Sequence, residues 1–104
     1  MTAALADLQA RCERISRRYE AAFGIAPGED WMAMKLQEEL GELIQAYLAA
    51  TGRSRRRLDG EEARRVLAEE LADVIGFALA LAERLGIDAG AALEAKWMRH
   101  EVAA

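Results

Sequence analysis

Apolar residues recur at steps of three and four along most of the chain, which is the spacing of amphipathic helices. The first such stretch predicts a helix that ends near Gly24, before Pro27 and Gly28 break the chain. Its apolar stripe consists of Leu5, Leu8, Cys12, Ile15, Tyr19 and Phe23. Because Cys12 lies on this stripe, we expect its thiol to be buried.

A second helix is predicted from Trp31 to about Ala50, with Asp30 as its N-cap and Gly52 as a left-handed stop. Its predicted core row is Leu36, Leu40, Leu43, Ile44 and Tyr47.

Two more helices follow a basic, polar stretch from Arg53 to Gly60. Asp59 and Glu62 have the spacing of a capping box for a third helix that reaches about Leu85, before Gly86. Asp88 is suited to cap a fourth helix, which carries Ala92, Leu93 and Trp97.

No stretch shows the strict alternation of a strand, so the pattern predicts an all-α protein. At 104 residues we expect one domain, residues 1–104, with a single core that further copies help to cover. The predicted architecture is an antiparallel protomer resembling a four-helix bundle, assembled into a homodimer or homotetramer.

Composition narrows the class of function. The chain is 53% hydrophobic and 31% charged with one Pro, as in a folded helical protein. A net charge of −4 disfavours a nucleic-acid polymer as partner, and we see no apolar segment suited to a signal peptide or a membrane span. A single cysteine, Cys12, excludes an intramolecular disulfide and favours a reducing, cytoplasmic location.

Four acids stand in two pairs, Glu39 with Glu42 and Glu70 with Asp73, each pair three residues apart on a predicted helix. Residues at that spacing project from one side of a helix, so two packed helices would bring four carboxylates together. Two carboxylates 4 Å apart repel by roughly 4 kcal/mol at an effective dielectric near 20. Protons or a hard divalent cation, Mg²⁺ first, with Mn²⁺ as a substitute, are the expected counter-charge.

The helical periodicity separates these acids from ordinary surface acids. Glu70 falls between Val66 and Val74 on the apolar side of its helix, whereas Glu69 points away. Glu39 shares the side of Met32, Leu36 and Leu43, and Glu38 lies further out. We therefore predict a functional acidic cluster, against the alternative of surface acids paired with Lys or Arg.

The run Glu38-Glu39-Leu40-Gly41-Glu42, followed after a spacer by Glu70-Leu71-Ala72-Asp73, resembles the EExxE and ExxD motifs of the MazG-like all-α nucleoside triphosphate pyrophosphohydrolases. Lys35, the segment after the second motif and Lys96 extend the resemblance to roughly residues 31–100.

This resemblance implies hydrolysis of a nucleoside triphosphate between its α- and β-phosphates. It implies that Glu39, Glu42, Glu70 and Asp73 hold Mg²⁺, and that Glu38 binds metal, orients the attacking water or acts as its base. Glu38 and Glu39 are thus the candidate catalytic residues. The sequence has no phosphate loop of the P-loop type, so metal bridging is the evident means of phosphate binding.

Substrate contacts are expected from Lys35, Lys96, His100 and Trp31. Lys96 matches a basic position of the family, but His100 and Ala103 stand where the family commonly has Asn and Arg. We leave open whether His100 contacts substrate or solvent, and whether another subunit completes the site. Trp31 suits either stacking on a base or packing.

The arginines between Arg53 and Arg65 form either a solvated or oligomer-contacting loop or a cover over the triphosphate. Two other functions stay open: a phosphoribosyl-ATP pyrophosphohydrolase, and a non-catalytic helical module that senses nucleotides or binds a partner. A di-iron bundle is disfavoured because it requires Glu-x-x-His pairs, and His100 is the single histidine.

Overall fold

The computed structural model describes residues 4–102, and all regular structure within that range is helical. The helices are α1 (Leu5–Ala22), α2 (Glu29–Ala50), α3 (Gly60–Arg84) and α4 (Ala89–Lys96), followed by a one-turn 3₁₀ helix (Met98–His100). The predicted all-α class is confirmed. The helix positions match the predicted ones to within about two residues at most ends.

The glycine stops are confirmed, and of the three predicted N-caps Asp88 is confirmed, Asp30 is wrong, and Asp59 has the predicted position without the predicted side-chain hydrogen bond. Gly52 and Gly86 adopt φ of 74° and 71°, the left-handed conformation that ends a helix and that residues with a Cβ rarely adopt. Asp88 caps α4, because its carboxylate accepts a hydrogen bond from the Ala91 amide at 3.0 Å. In contrast, α2 begins at Glu29, so that Asp30 lies inside its first turn. Asp59 occupies the N-cap of α3, but its side chain accepts no hydrogen bond from that helix, all of which is described.

The central helix of the fold is α3. The α2 helix runs antiparallel along α3. In the loop that connects these two helices, the Leu58 side chain is buried against Ala46, Ala49 and Ala63. The α1 helix packs antiparallel along another side of α3, and α4 lies against α1 and α3. Met32, Leu79 and Ala80 are also buried. The arrangement is three long helices and one short helix that buries no residue completely.

The first helix buries its polar stripe. Gln9, Glu13, Ser16 and Glu20 are buried, whereas Ile15, Tyr19 and Phe23 are 63%, 46% and 67% exposed. Cys12, which we expected to be buried, is only half-buried. The reason is Arg84 of α3, whose Nη2 lies 2.9 Å from Glu13 Oε1 and 2.7 Å from Glu20 Oε1. A buried carboxylate is tolerated only with such a partner, and the partner comes from the other end of the chain.

Part of the predicted core row of α2 is also exposed. Leu40, Ile44 and Tyr47 lie 43% to 49% open to solvent, as do Leu71 and Ile75 of α3. The prediction that these α2 residues fill the core of the protomer is wrong, because no further described helix covers them. We call these five residues the hairpin apolar face.

The protomer is thin and extended. It measures 51 × 40 × 24 Å, with a radius of gyration of 16.1 Å against about 13 Å for a compact domain of this length. Its accessible surface is 7716 Å², whereas a compact monomer of this mass exposes about 5,800 Å². Among residues 4–102 we find no helix that combines the length and apolarity needed to cross a bilayer.

Candidate functional site

The two predicted acidic pairs converge between α2 and α3. One carboxylate oxygen from each of Glu39, Glu70 and Asp73 lies within 4.8 Å of the other two. Oxygens of Glu38, Glu39 and Glu42 form a second group of the same size. Glu39 belongs to both groups, so the five side chains form one continuous set, which we call the carboxylate cluster.

Glu39 is the buried centre of this cluster. Its side chain is 10% exposed, and burial together with the neighbouring Glu42 and Asp73 raises its pKa to about 6. After burial, a hydrogen bond with Glu42 is the next largest cause of this rise in the pKa of Glu39. Burial also raises the pKa of Glu70, and the charges of Glu42 and Asp73 add to that effect. Both rises in pKa come first from burial and then from neighbouring carboxylates, and the charges of Lys35 and Arg56 offset them only in part.

The acids that precede Glu39 and Glu70 in sequence are exposed, as the helical periodicity predicts. Glu69, next to Glu70 in sequence, is 63% exposed at its side chain and pairs with Arg65 at 3.1 Å. Glu38 is likewise 59% exposed and forms a short ion pair with Lys35. The distinction between inward and outward acids is therefore confirmed for both helices.

Lys35 is the basic residue closest to the cluster among the described residues. Its Nζ contacts Glu38 and lies 3.5 Å from Glu39 Oε1, and these partners, Glu38 first, raise the pKa of the ammonium. The same nitrogen lies 5.6 Å from the centre of the Phe77 ring. One lysine cannot neutralise five carboxylates, which leaves the cluster with net negative charge.

The donor set fits a hard divalent cation. All five side chains offer oxygen atoms, the ligands that Mg²⁺ and Mn²⁺ prefer, and no sulfur or imidazole ligand belongs to either group. A bound cation would lower the raised pKa of Glu39 and Glu70 by supplying the missing positive charge. Glu39, Glu42, Glu70 and Asp73 are the residues that could hold it.

An apolar groove of about 190 Å³ opens beside the carboxylate cluster, between α1 and α3. Its floor is a row of small residues on α3, Ala72, Gly76 and Ala80, spaced four apart. Asp73 lines the groove and also belongs to the cluster, so the two sites share a side chain.

Aromatic rings form one end of this groove. The Trp31 ring lies 5.8 Å from Tyr19 in a stacked arrangement and 6.0 Å from Phe77 edge-on, centre to centre. Sequence reasoning named Trp31 but missed Tyr19 and Phe77. The signal that was available is the row of small residues next to Asp73, because small side chains at four-residue spacing leave space along a helix.

Lys96 and His100 are not brought to the carboxylate cluster within this protomer. Both are exposed, in α4 and in the 3₁₀ helix that follows it, and α4 packs on α1 and α3. Within residues 4–102 neither side chain forms a hydrogen bond or ion pair with the cluster; the ring of His100 accepts a hydrogen bond from Arg99 at 3.3 Å. Ala103, named with them, lies outside the described residues.

The arginine-rich loop affects the carboxylate cluster through the charge of Arg56. The charge of Arg56 opposes the rise in the pKa of Glu70. Arg53 instead folds back on α2, where its guanidinium donates to the Thr51 hydroxyl at 3.1 Å and lies over the Tyr47 ring.

Comparison with protein-family models, curated proteins and solved structures gives no match for the chain.

Proposed function

We propose that this chain is a magnesium-dependent nucleoside triphosphate pyrophosphohydrolase of the MazG-like all-α class, acting in the cytoplasm. The observation that supports this most directly is the meeting of Glu39, Glu70 and Asp73 from two helices, with the pKa of Glu39 raised to about 6. Carboxylates that are buried without enough positive charge are a common sign of a functional site.

In this proposal the substrate spans both sites described above. Glu39, Glu42, Glu70 and Asp73 would hold Mg²⁺ or Mn²⁺, which would supply positive charge for the phosphates and make a bound water more acidic. The phosphates approach the acids only under this condition, because they carry the same sign of charge. The base enters the apolar groove, which continues from Asp73 to the aromatic rings of Trp31 and Tyr19.

Hydrolysis then joins the water oxygen to the α-phosphorus and breaks its bond to the oxygen that bridges to the β-phosphorus. Glu38 is suited to accept the proton of the attacking water, since its side chain is 59% exposed and its carboxylate is oriented by Lys35. The products are the nucleoside monophosphate and pyrophosphate.

In this proposal a second copy of the chain covers apolar surface that one copy alone leaves exposed. The accessible surface exceeds that of a compact monomer by about 1,900 Å², an amount typical of large, obligate interfaces. The hairpin apolar face supplies a patch of matching character, with five large apolar side chains on α2 and α3. Lys96 and His100 can contact substrate only if the homodimer or homotetramer brings them to the cluster of another copy.

The test is product analysis. Purified protein is incubated with Mg²⁺ and a panel of ribo- and deoxyribonucleoside triphosphates and phosphoribosyl-ATP, and products are separated by anion-exchange chromatography. We expect monophosphate and pyrophosphate in equal amounts, and a loss of about a hundredfold or more in kcat/KM for Glu70→Gln. The matched control is Glu69→Gln, which changes the neighbouring exposed acid and should keep full activity.

Three outcomes would contradict the proposal. Release of inorganic phosphate would mean cleavage at a different bond, and turnover of phosphoribosyl-ATP alone would favour that enzyme class. If no substrate reacts and Mg²⁺ does not raise the melting temperature, the non-catalytic module remains.

A further inference from the structure

Two uncharged hydroxyls belong to residues on the wall of the apolar groove, those of Ser16 and Tyr19, and of these two residues only Ser16 is buried. It lies on α1, is 6% exposed, and faces a cavity whose other walls are mainly aromatic and small apolar side chains. Behind it, its Oγ lies 3.5 Å from Oε1 of the buried Glu20, a long hydrogen bond. A buried hydroxyl at an apolar wall matters for selectivity, because a ligand must either match it or leave it unpaired.

The direction of this hydrogen bond is fixed by Arg84. The arginine donates to both oxygens of Glu20, at 2.9 Å and 2.7 Å, and this pairing holds the pKa of the Glu20 carboxyl below its usual range. Glu20 is therefore ionised and can only accept hydrogen bonds. The hydroxyl proton of Ser16 points to Glu20, so the lone pairs of Oγ are what it presents to the groove.

At Ser16 the groove wall thus offers a hydrogen-bond acceptor, and the uncharged donors of the wall belong to Tyr19 and Trp31 at its aromatic end. Among nucleobases, the exocyclic amino group of cytosine or adenine can donate to such an oxygen. The carbonyl of uracil or hypoxanthine at the same ring position presents lone pairs instead. To satisfy a carbonyl, Ser16 would have to rotate its proton away from the ionised Glu20, which is unfavourable.

We infer that Ser16 is a specificity-determining residue, which makes the groove prefer nucleotides whose base carries an exocyclic amino group over those with a carbonyl at that position. This inference rests on the proposed function, because it takes the groove as the base site. It follows from two observations: the continuity of the groove with the carboxylate cluster through Asp73, and the Ser16, Glu20 and Arg84 chain behind its wall.

The experiment compares two substrate pairs, dCTP with dUTP and dATP with dITP, whose members differ in this amino or carbonyl group and in the proton on the adjacent ring nitrogen. For the unmodified protein we expect kcat/KM to be about tenfold higher for the amino member of each pair, the effect of one well-placed hydrogen bond. In Ser16→Ala each ratio should fall to within about threefold of one. Ser16→Cys, which keeps the size of the side chain but has a weak acceptor, should behave in the same way.

Cys12→Ala is the matched control. Cys12 lines the same groove one helical turn away, and the change also removes a single heavy atom from the wall. Its ratios should equal those of the unmodified protein, with thermal melts of all variants confirming that they are folded.

Equal rates within each pair for the unmodified protein, or ratios unchanged in both Ser16 variants, would overturn the inference while the hydrolase assignment stands. Absence of turnover with all four nucleotides would overturn the proposed function, and this inference with it.

Discussion

Replacing Glu39 by glutamine should stabilise the metal-free protein at alkaline pH. The pKa of Glu39 is raised from 4.5 to about 6 in the folded state, chiefly by burial. The folded protein therefore binds this proton more tightly than the unfolded chain does, and the free energy of unfolding falls as pH rises from about 4.5 through 6. At 1.36 kcal/mol per pKa unit, ionisation of Glu39 destabilises the fold by about 2 kcal/mol above pH 7.

Glutamine has nearly the same shape and stays neutral, so Glu39→Gln removes this pH-dependent loss. We expect the free energy of unfolding of the variant to exceed that of the unmodified protein by up to about 2 kcal/mol at pH 8 and to equal it near pH 4.5. The assay is urea denaturation in EDTA at both pH values and at one fixed protein concentration. Glu69→Gln is the control, because its carboxylate is exposed and should show no comparable gain.

Magnesium should reverse this order of stability, so that the unmodified protein becomes more stable than the Glu39→Gln variant. A cation held by the cluster stabilises the unmodified protein by about 2.7 kcal/mol when its free concentration is 100 times its dissociation constant. The Glu39→Gln variant lacks the central ligand and should gain much less. The reasoning would be refuted if the variant were less stable than the unmodified protein at pH 8 in EDTA, or if magnesium stabilised both equally.

Three further predictions concern the fold and its assembly. Arg84→Met should lower the free energy of unfolding by about 3 to 5 kcal/mol in urea denaturation, because the buried Glu20 would lose its ion pair and Glu13 would keep only the more exposed Arg17; a loss below 1 kcal/mol would contradict this account. Gln9→Ala should speed hydrogen exchange in α4. The Gln9 side chain donates a hydrogen bond to a carbonyl in the turn before α4 at 2.6 Å and accepts one from the first backbone amide of α4 at 3.0 Å. Unchanged exchange would show that α4 is held otherwise. Ile44→Asp should reduce the mass in sedimentation equilibrium to 11.4 kDa, because it places a charge in the hairpin apolar face; an unchanged oligomer would exclude this face as the interface.

The helices could be predicted from sequence because their signals are local. Apolar spacing, the glycine stops and the Asp88 cap depend on residues within a few positions of one another, and Gly52, Gly86 and Asp88 behave as expected. The burial of α1 could not be predicted in the same way. Its polar stripe is buried because Arg84, 64 residues beyond Glu20, supplies the opposing charge, and no local pattern announces that partner.

At the candidate site, too, features set by local spacing could be predicted from sequence, and features set by the packing of separate helices could not. The helical periodicity predicted that Glu39 and Glu70 turn inward, and the i, i+3 spacing predicted that Asp73 shares the helix side of Glu70 and Glu42 that of Glu39. The apolar groove was not predicted, since its walls come from three helices and its volume depends on how closely α1 approaches α3.

The 24 Å thickness of the protomer, about two helix diameters, has a consequence for handling the protein. In a molecule this thin most backbone amides lie close to solvent. Under the proposed assembly a neighbouring copy shields these amides from water. Folding and association then form a single equilibrium, in which dilution acts as a denaturant and the thermal midpoint rises with protein concentration.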